Sequence, residues 1–240
     1  MESFLGPFML FSQEVGSLIG AVGMISLAVS WHRRKSDSVK LAQFGWVLVG
    51  LTFFNDASKY LAHDDAVLTV FCTAALPMGI GMAMWEGRVE QESTRSSLIW
   101  ARGAIAYAGG PYLLIAHIPW LNVLAIWFVA SQAALFLRFS GSGEVVLGET
   151  TVNTVNGEVA WSSWDGNRWF MGEFVGEHPF QTELLLSDGS AIGINFVLAC
   201  TALQSMVIFI GAIAVLDIDW RRRCQALLIT VPVIHILNLF

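Results

Sequence analysis

Charge is what this chain of 240 residues has least of: 13% of its side chains are Asp, Glu, Lys or Arg, while 55% are hydrophobic. A soluble domain carries about 25% charged residues, so the composition excludes an ordinary soluble protein and implies an integral membrane protein. Cysteine is scarce too. Cys72, Cys200 and Cys224 include no C-x-x-C pair, which argues against a disulfide framework or a zinc ribbon. There is no glycine-rich phosphate loop, no H-E-x-x-H and no basic patch. No metal, cofactor or nucleic-acid partner is therefore expected. The N-terminus, MESFLGPFMLFSQE, lacks the basic start of a cleavable signal peptide and leads into a long apolar segment.

What is present is a series of apolar runs. A span needs about 20 mostly apolar residues. Candidate spans are Val15–Trp31, Leu41–Phe54, Ala66–Trp85, Leu98–Ile115, Gly193–Leu216 and Ala226–Phe240. Lys and Arg gather at cytoplasmic ends. The segments HRRKSDSVK and WRRRC, with Arg88 and Arg95, put nine on one side, against Lys59, Arg138 and Arg168 on the other. That bias survives only if Trp120–Phe139 does not cross the bilayer. This segment is therefore expected to lie in the outer interface, with Asn122, Ser131, Gln132 and Arg138 interrupting its apolar character.

Between Ser140 and Ala191 stand eight acidic residues and one basic residue, Arg168. This segment alone carries −7 of a chain whose net charge is −6, which leaves the remainder at +1. Asn156–Gly157 and Asp188–Gly189 each sit between β-prone runs and predict hairpins. The expected fold is thus an all-α multi-pass membrane protein of about six spans, with a small β-rich extracytoplasmic region and one outer interfacial helix. Its parts are a four-span region over 1–119, the interfacial helix over 120–139, the acidic β-rich loop over 140–192, and two further spans over 193–240. The last run stops at Phe240 without a cap or tail, which reads as a C-terminal truncation.

Cys200 is the candidate reactive group. Read as one helix, the 20 residues from Cys200 to Trp220 cover about 30 Å, one hydrocarbon thickness. This places the thiol at the outer boundary. Gln204 is expected one turn deeper on the same face, and Thr201 and Ser205 form a second such pair. A membrane cysteine usually just packs; that reading suffices for Cys72 and Cys224. For Cys200, packing and chemistry both stay open on the residues alone. Arg102 is expected to snorkel to the inner interface. His117 and Trp120 read as interface anchors, and His235 as a mid-span structural group too deep to reach Cys200.

The stretch ACTALQSM, Ala199–Met206, resembles the cysteine motif of the archaeosortase/exosortase family. The order of features around it is similar as well: a helix ending AALFLRFSG, an outer β-rich loop, a short span, a basic turn and a span ending VIHILNLF. The resemblance implies a membrane-embedded cysteine transpeptidase with Cys200 as nucleophile. Such an enzyme cleaves C-terminal sorting signals of surface proteins, of the PGF-CTERM type, at the outer membrane face. It then passes the new C-terminus to a membrane lipid. In the family an asparagine precedes a catalytic arginine by three residues. Asn238 matches the asparagine, the arginine is expected directly after Phe240, and the chain as given is expected to be inactive. Gln204, Thr201, Ser205 and Asn238 are supporting candidates, each also explicable by hydrogen bonding between helices. The competing reading is a non-enzymatic membrane subunit or transporter-like protein in which Cys200 is structural.

Overall fold

A computed structural model describes residues 10–33, 38–62, 64–141, 143–170 and 178–239, apart from the side chains of residues 13 and 14. Arg34, Lys35, Glu173, Glu177 and Phe240, used in the charge and span arguments above, lie outside the described residues. Seven helices and four strands follow in the order α1 (Gln13–Arg33), α2 (Ser38–Ala62), α3 (Ala66–Glu86), α4 (Glu92–His117), α5 (Pro119–Phe139), β1 (Val145–Thr154), β2 (Gly157–Ala160), β3 (Phe180–Leu186), β4 (Ala191–Phe196), α6 (Leu203–Ala214) and α7 (Trp220–Leu239). Among the described residues, three stretches are long and apolar enough to cross a membrane: Val15–Arg33, Ala66–Glu86 and Pro119–Phe139. The chain divides into two compact units, 1–110 with 210–219, and 111–209 with 220–240.

In the first unit, glycines set how closely the helices approach. A Cβ on Gly79 of α3 would stand 2.6 Å from the Trp46 carbonyl oxygen and 3.2 Å from the Gly50 Cα of α2. Backbone thus packs on backbone, as small residues allow in a membrane. Around this crossing, Leu27, Ala42, Trp46, Val49, Ala83 and Ala106 form a buried core. Gly79→Ala should overpack the contact and cost about 1–3 kcal/mol. Gly81→Ala, whose Cβ would meet nothing within 4 Å, should be neutral or stabilising by up to about 1 kcal/mol. Melting curves of the two purified variants in detergent make the comparison.

The expected snorkelling of Arg102 is corrected here. Arg102 is 2% exposed and Glu86 7%. The guanidinium grips both carboxylate oxygens, with Nε to Oε1 at 2.7 Å. Its Nη1 also donates to Ser38 Oγ at 3.3 Å, and Trp46 Nε1 donates to Glu86 Oε1 at 3.1 Å. A cation held by a buried carboxylate on two nitrogens and by a hydroxyl on the third has no reason to extend toward water.

The second unit is built on an antiparallel sheet of order β2-β1-β3-β4. Both expected hairpins are present. Thr154 pairs with Gly157 across a loop of Val155 and Asn156, and Gly157 takes φ +112°, a region glycine enters without a Cβ clash. At the second hairpin Gly189 has φ +85°. There the Asp188 carboxylate accepts from the Ser190 hydroxyl at 2.6 Å and amide at 2.8 Å, contacts that hold its pKa below the usual range.

The helix expected over Gly193–Leu216 is also corrected. Its first residues form β4, which pairs with β3. A short 3-10 helix, Leu198–Thr201, follows; then Ala202 turns at φ +50°, and α6 begins only at Leu203. An apolar run such as AIGINFVLAC does not by itself distinguish a buried strand from a helix, and here the free edge of β3 takes it. At 12 residues, α6 is about 18 Å long, short of a hydrocarbon thickness of about 30 Å.

Candidate active site

Cys200 lies in the 3-10 helix between β4 and α6, half-buried. Its amide donates to the Val197 carbonyl at 2.9 Å. The next residue, Thr201, is buried. Its hydroxyl donates to the Leu198 carbonyl at 2.7 Å and accepts from the Leu203 amide at 3.3 Å, so it joins the short helix to the start of α6. Ala202 sits between them in left-handed backbone, which costs a residue with a Cβ roughly 1–2 kcal/mol. The junction that presents the thiol is therefore locally strained and held by its surroundings.

Asn238, near the end of α7, reaches this junction. Its Nδ2 donates to the Cys200 carbonyl at 2.7 Å. One turn earlier on α7, His235 Nε2 lies 2.7 Å from Gln132 Oε1 of α5, and the His235 ring stacks on Phe128 at 5.3 Å. With Oε1 accepting, Nε2 carries the proton. Nδ1 is buried without a hydrogen-bond partner among the described residues. His235 and Asn238 are i and i+3 on one helix and so share a face. A groove of about 530 Å³ opens beside them, lined by Leu124, Trp127, Phe128, Ser131 and Gln132.

The candidates named from the sequence thus separate. Cys200, Thr201 and Asn238 come together at the junction. Gln204 does not share a helix face with Cys200, because the turn at Ala202 breaks the i, i+4 relation. Its Nε2 donates instead to the Tyr112 hydroxyl at 3.1 Å. Ser205 is exposed on α6. His235, expected to be remote, stands one turn from the residue that touches Cys200. Tyr112 and the Gln132–His235 pair were missed as site neighbours. No local motif marks Tyr112, and the polar atoms of Gln132 and His235 inside apolar runs were the only signal for that pair.

Fold and site together describe a mostly helical membrane protein with a small antiparallel sheet and a half-buried cysteine at a strained strand-to-helix junction. Over 216 residues the chain is 27% identical to archaeosortase A of Haloferax volcanii, a match that takes in 88% of this chain and 63% of that protein. The chain is thus similar to archaeosortase A and spans less than two thirds of that relative's length. No family model and no solved structure matches it.

Proposed function

We propose that this chain carries the nucleophile of a membrane-embedded cysteine transpeptidase with about six spans, acting on C-terminal sorting signals of surface proteins at the outer face of the cell membrane. The observation that carries the reading is the bond from Asn238 to the Cys200 carbonyl. It joins the residue matching the family's asparagine to the residue matching its cysteine. It also supplies a ruler that replaces the broken helix. From Arg221 to Asn238 is 17 positions of α7, about 26 Å. With Arg221–Arg223 at the cytoplasmic headgroups, that length carries Cys200 close to the opposite face.

The chemistry follows from a thiolate at that depth. The sulfur attacks the scissile carbonyl carbon, and the C=O π electrons move to oxygen. As the tetrahedral intermediate collapses, the C–N bond breaks, the amine leaves with a proton, and a thioester remains on Cys200. A nucleophile from a membrane lipid then attacks the thioester and releases the thiol. An arginine directly after Phe240 would sit within a turn of Asn238. Its fixed charge would stabilise the thiolate and the oxyanion and would persist in a partly dry site.

In this reading Asn238 positions the backbone that presents the thiol. In the protein that carries the arginine expected after Phe240, Asn238→Ala should lower kcat/KM for a sorting-signal reporter by about 10²-fold, the penalty typical of a misplaced reacting group. Stability should fall by only about 1 kcal/mol, the net worth of one hydrogen bond. Pulse-chase processing of a tagged substrate and a melting curve make the two readings. Unchanged processing would remove Asn238 from the site.

A further inference from the structure

By length and composition α5 is able to cross a membrane, yet its surroundings in the second unit oppose that. The sheet runs along it for most of its length. At the C-terminal end Arg138 Nε donates to the Val145 carbonyl, and Ala130 and Ala134 pack on Val145 and Leu184. Toward the N-terminal end Trp127 Nε1 donates to Thr150 Oγ1 at 2.6 Å, and Val123 and Ile126 pack on Val152 and Phe180. From residue 138 back to 123 is about 22 Å of helix. From residue 145 to 152 is about 23 Å of strand. Helix and strand therefore track each other, and wherever α5 lies the sheet lies too.

The sheet is unfit for hydrocarbon. Away from α5 it carries Glu149 and Glu183, with Glu158 on β2 also exposed or half-exposed. Among the described residues its edge strands β2 and β4 each pair on one side only. Unpaired backbone groups in lipid cost several kcal/mol apiece, and an acidic side chain at mid-bilayer about 3 kcal/mol. The other side of α5 is the reverse. Leu124, Phe128, Leu135, Phe136 and Phe139 are all exposed, Phe128 at 61% and Phe139 at 82%, and helical periodicity gathers them away from the sheet, whereas Trp120 packs on Trp127 and Trp161 at the sheet. The contacts α7 makes with α5 also fall toward this side, from His235 near its C-terminal end.

We propose that α5 lies in the plane of the membrane interface, with these five side chains in the boundary between headgroups and acyl chains and the acidic sheet standing above it in water. The occupant of the exposed face is the bilayer that the chain's apolar helices require beside it. Charge decides the orientation, because the opposite side of the α5–sheet layer bears carboxylates. Residues at both ends of α5 then share one depth, and the end of α7 that bonds Cys200 comes up beneath it. The inference uses no step of the cysteine chemistry, and its test reads depth rather than turnover.

The test places single spin labels at positions 124, 128, 135 and 139 of the chain with Cys72, Cys200 and Cys224 replaced by alanine. The protein is reconstituted in phosphatidylcholine–phosphatidylglycerol vesicles, and label depth is read from relative accessibility to oxygen and to a water-soluble nickel chelate. All four side chains are exposed, and of the contacts described above only the stack of Phe128 on His235 is given up. The four depths should agree within about one helical turn, about 5 Å, at the acyl–headgroup boundary, and a label at position 149 should read water. A graded series spreading over about 22 Å between 124 and 139 would show a spanning helix and overturn the proposal. Four labels in water, four at mid-bilayer, or a lipid-exposed label at 149 would overturn it as well.

Discussion

Cys200→Ala, in the protein that carries the arginine expected after Phe240, should stop processing of sorting-signal substrates, with a rate loss of at least about 10⁴-fold, the order seen when a covalent nucleophile is removed. Uncleaved surface protein should accumulate in cells whose only copy carries the change. The magnitude follows from the proposed chemistry. Without the thiol no thioester forms, and nothing else at the junction replaces it, because the Thr201 hydroxyl is committed to Leu198 and Leu203. Cys200→Ser should be nearly as poor, since a hydroxyl of ordinary acidity is a far weaker nucleophile than a thiolate. Neither change should disturb folding: the contacts that fix the residue run through its backbone amide and carbonyl. If Cys200 is structural, as in a transporter-like subunit, cells carrying either variant would process surface proteins at the normal rate.

The largest stability effect should come from Arg102→Ala, which leaves the Glu86 carboxylate buried against Trp46 with no cation. Breaking a buried pair from one side costs about 3–5 kcal/mol, enough to remove most folded protein from a chain of ordinary stability. Replacing both partners, Arg102→Met with Glu86→Leu, should restore more than half of the loss, because no unpaired charge then remains. The restoration stays incomplete because Trp46 Nε1 loses its acceptor. Melting curves in detergent for the two single variants and the double variant measure the coupling directly. A single variant within about 1 kcal/mol of the parent would mean that the pair is not desolvated.

Helix-length apolar runs and the two turn dipeptides, Asn156–Gly157 and Asp188–Gly189, were legible in the sequence because each has a local physical cause: period, or glycine at positive φ. The cysteine and Asn238 were legible through their resemblance to a family motif. Three features were not. The break at Ala202 leaves no mark, since alanine is the strongest helix former and only tertiary packing holds it left-handed. The burial of Arg102 depends on Glu86, which in sequence looks like the start of a polar loop. The alignment of α5 with β1 depends on register between distant segments, and no periodicity within either predicts it. Each failure lies where a distant partner overrides a local preference, and the first of them displaces Gln204 from Cys200.

The account stands on the position of one sulfur atom at the outer membrane surface. Labelling intact cells that express the chain with Cys72 and Cys224 replaced by alanine, using a membrane-impermeant maleimide, tests it most directly. The account predicts that Cys200 is modified from outside, without permeabilisation, and that prior treatment with a permeant thiol reagent blocks the reaction. Modification only after the membrane is opened would put the thiol on the cytoplasmic side or in mid-bilayer, and would contradict the account.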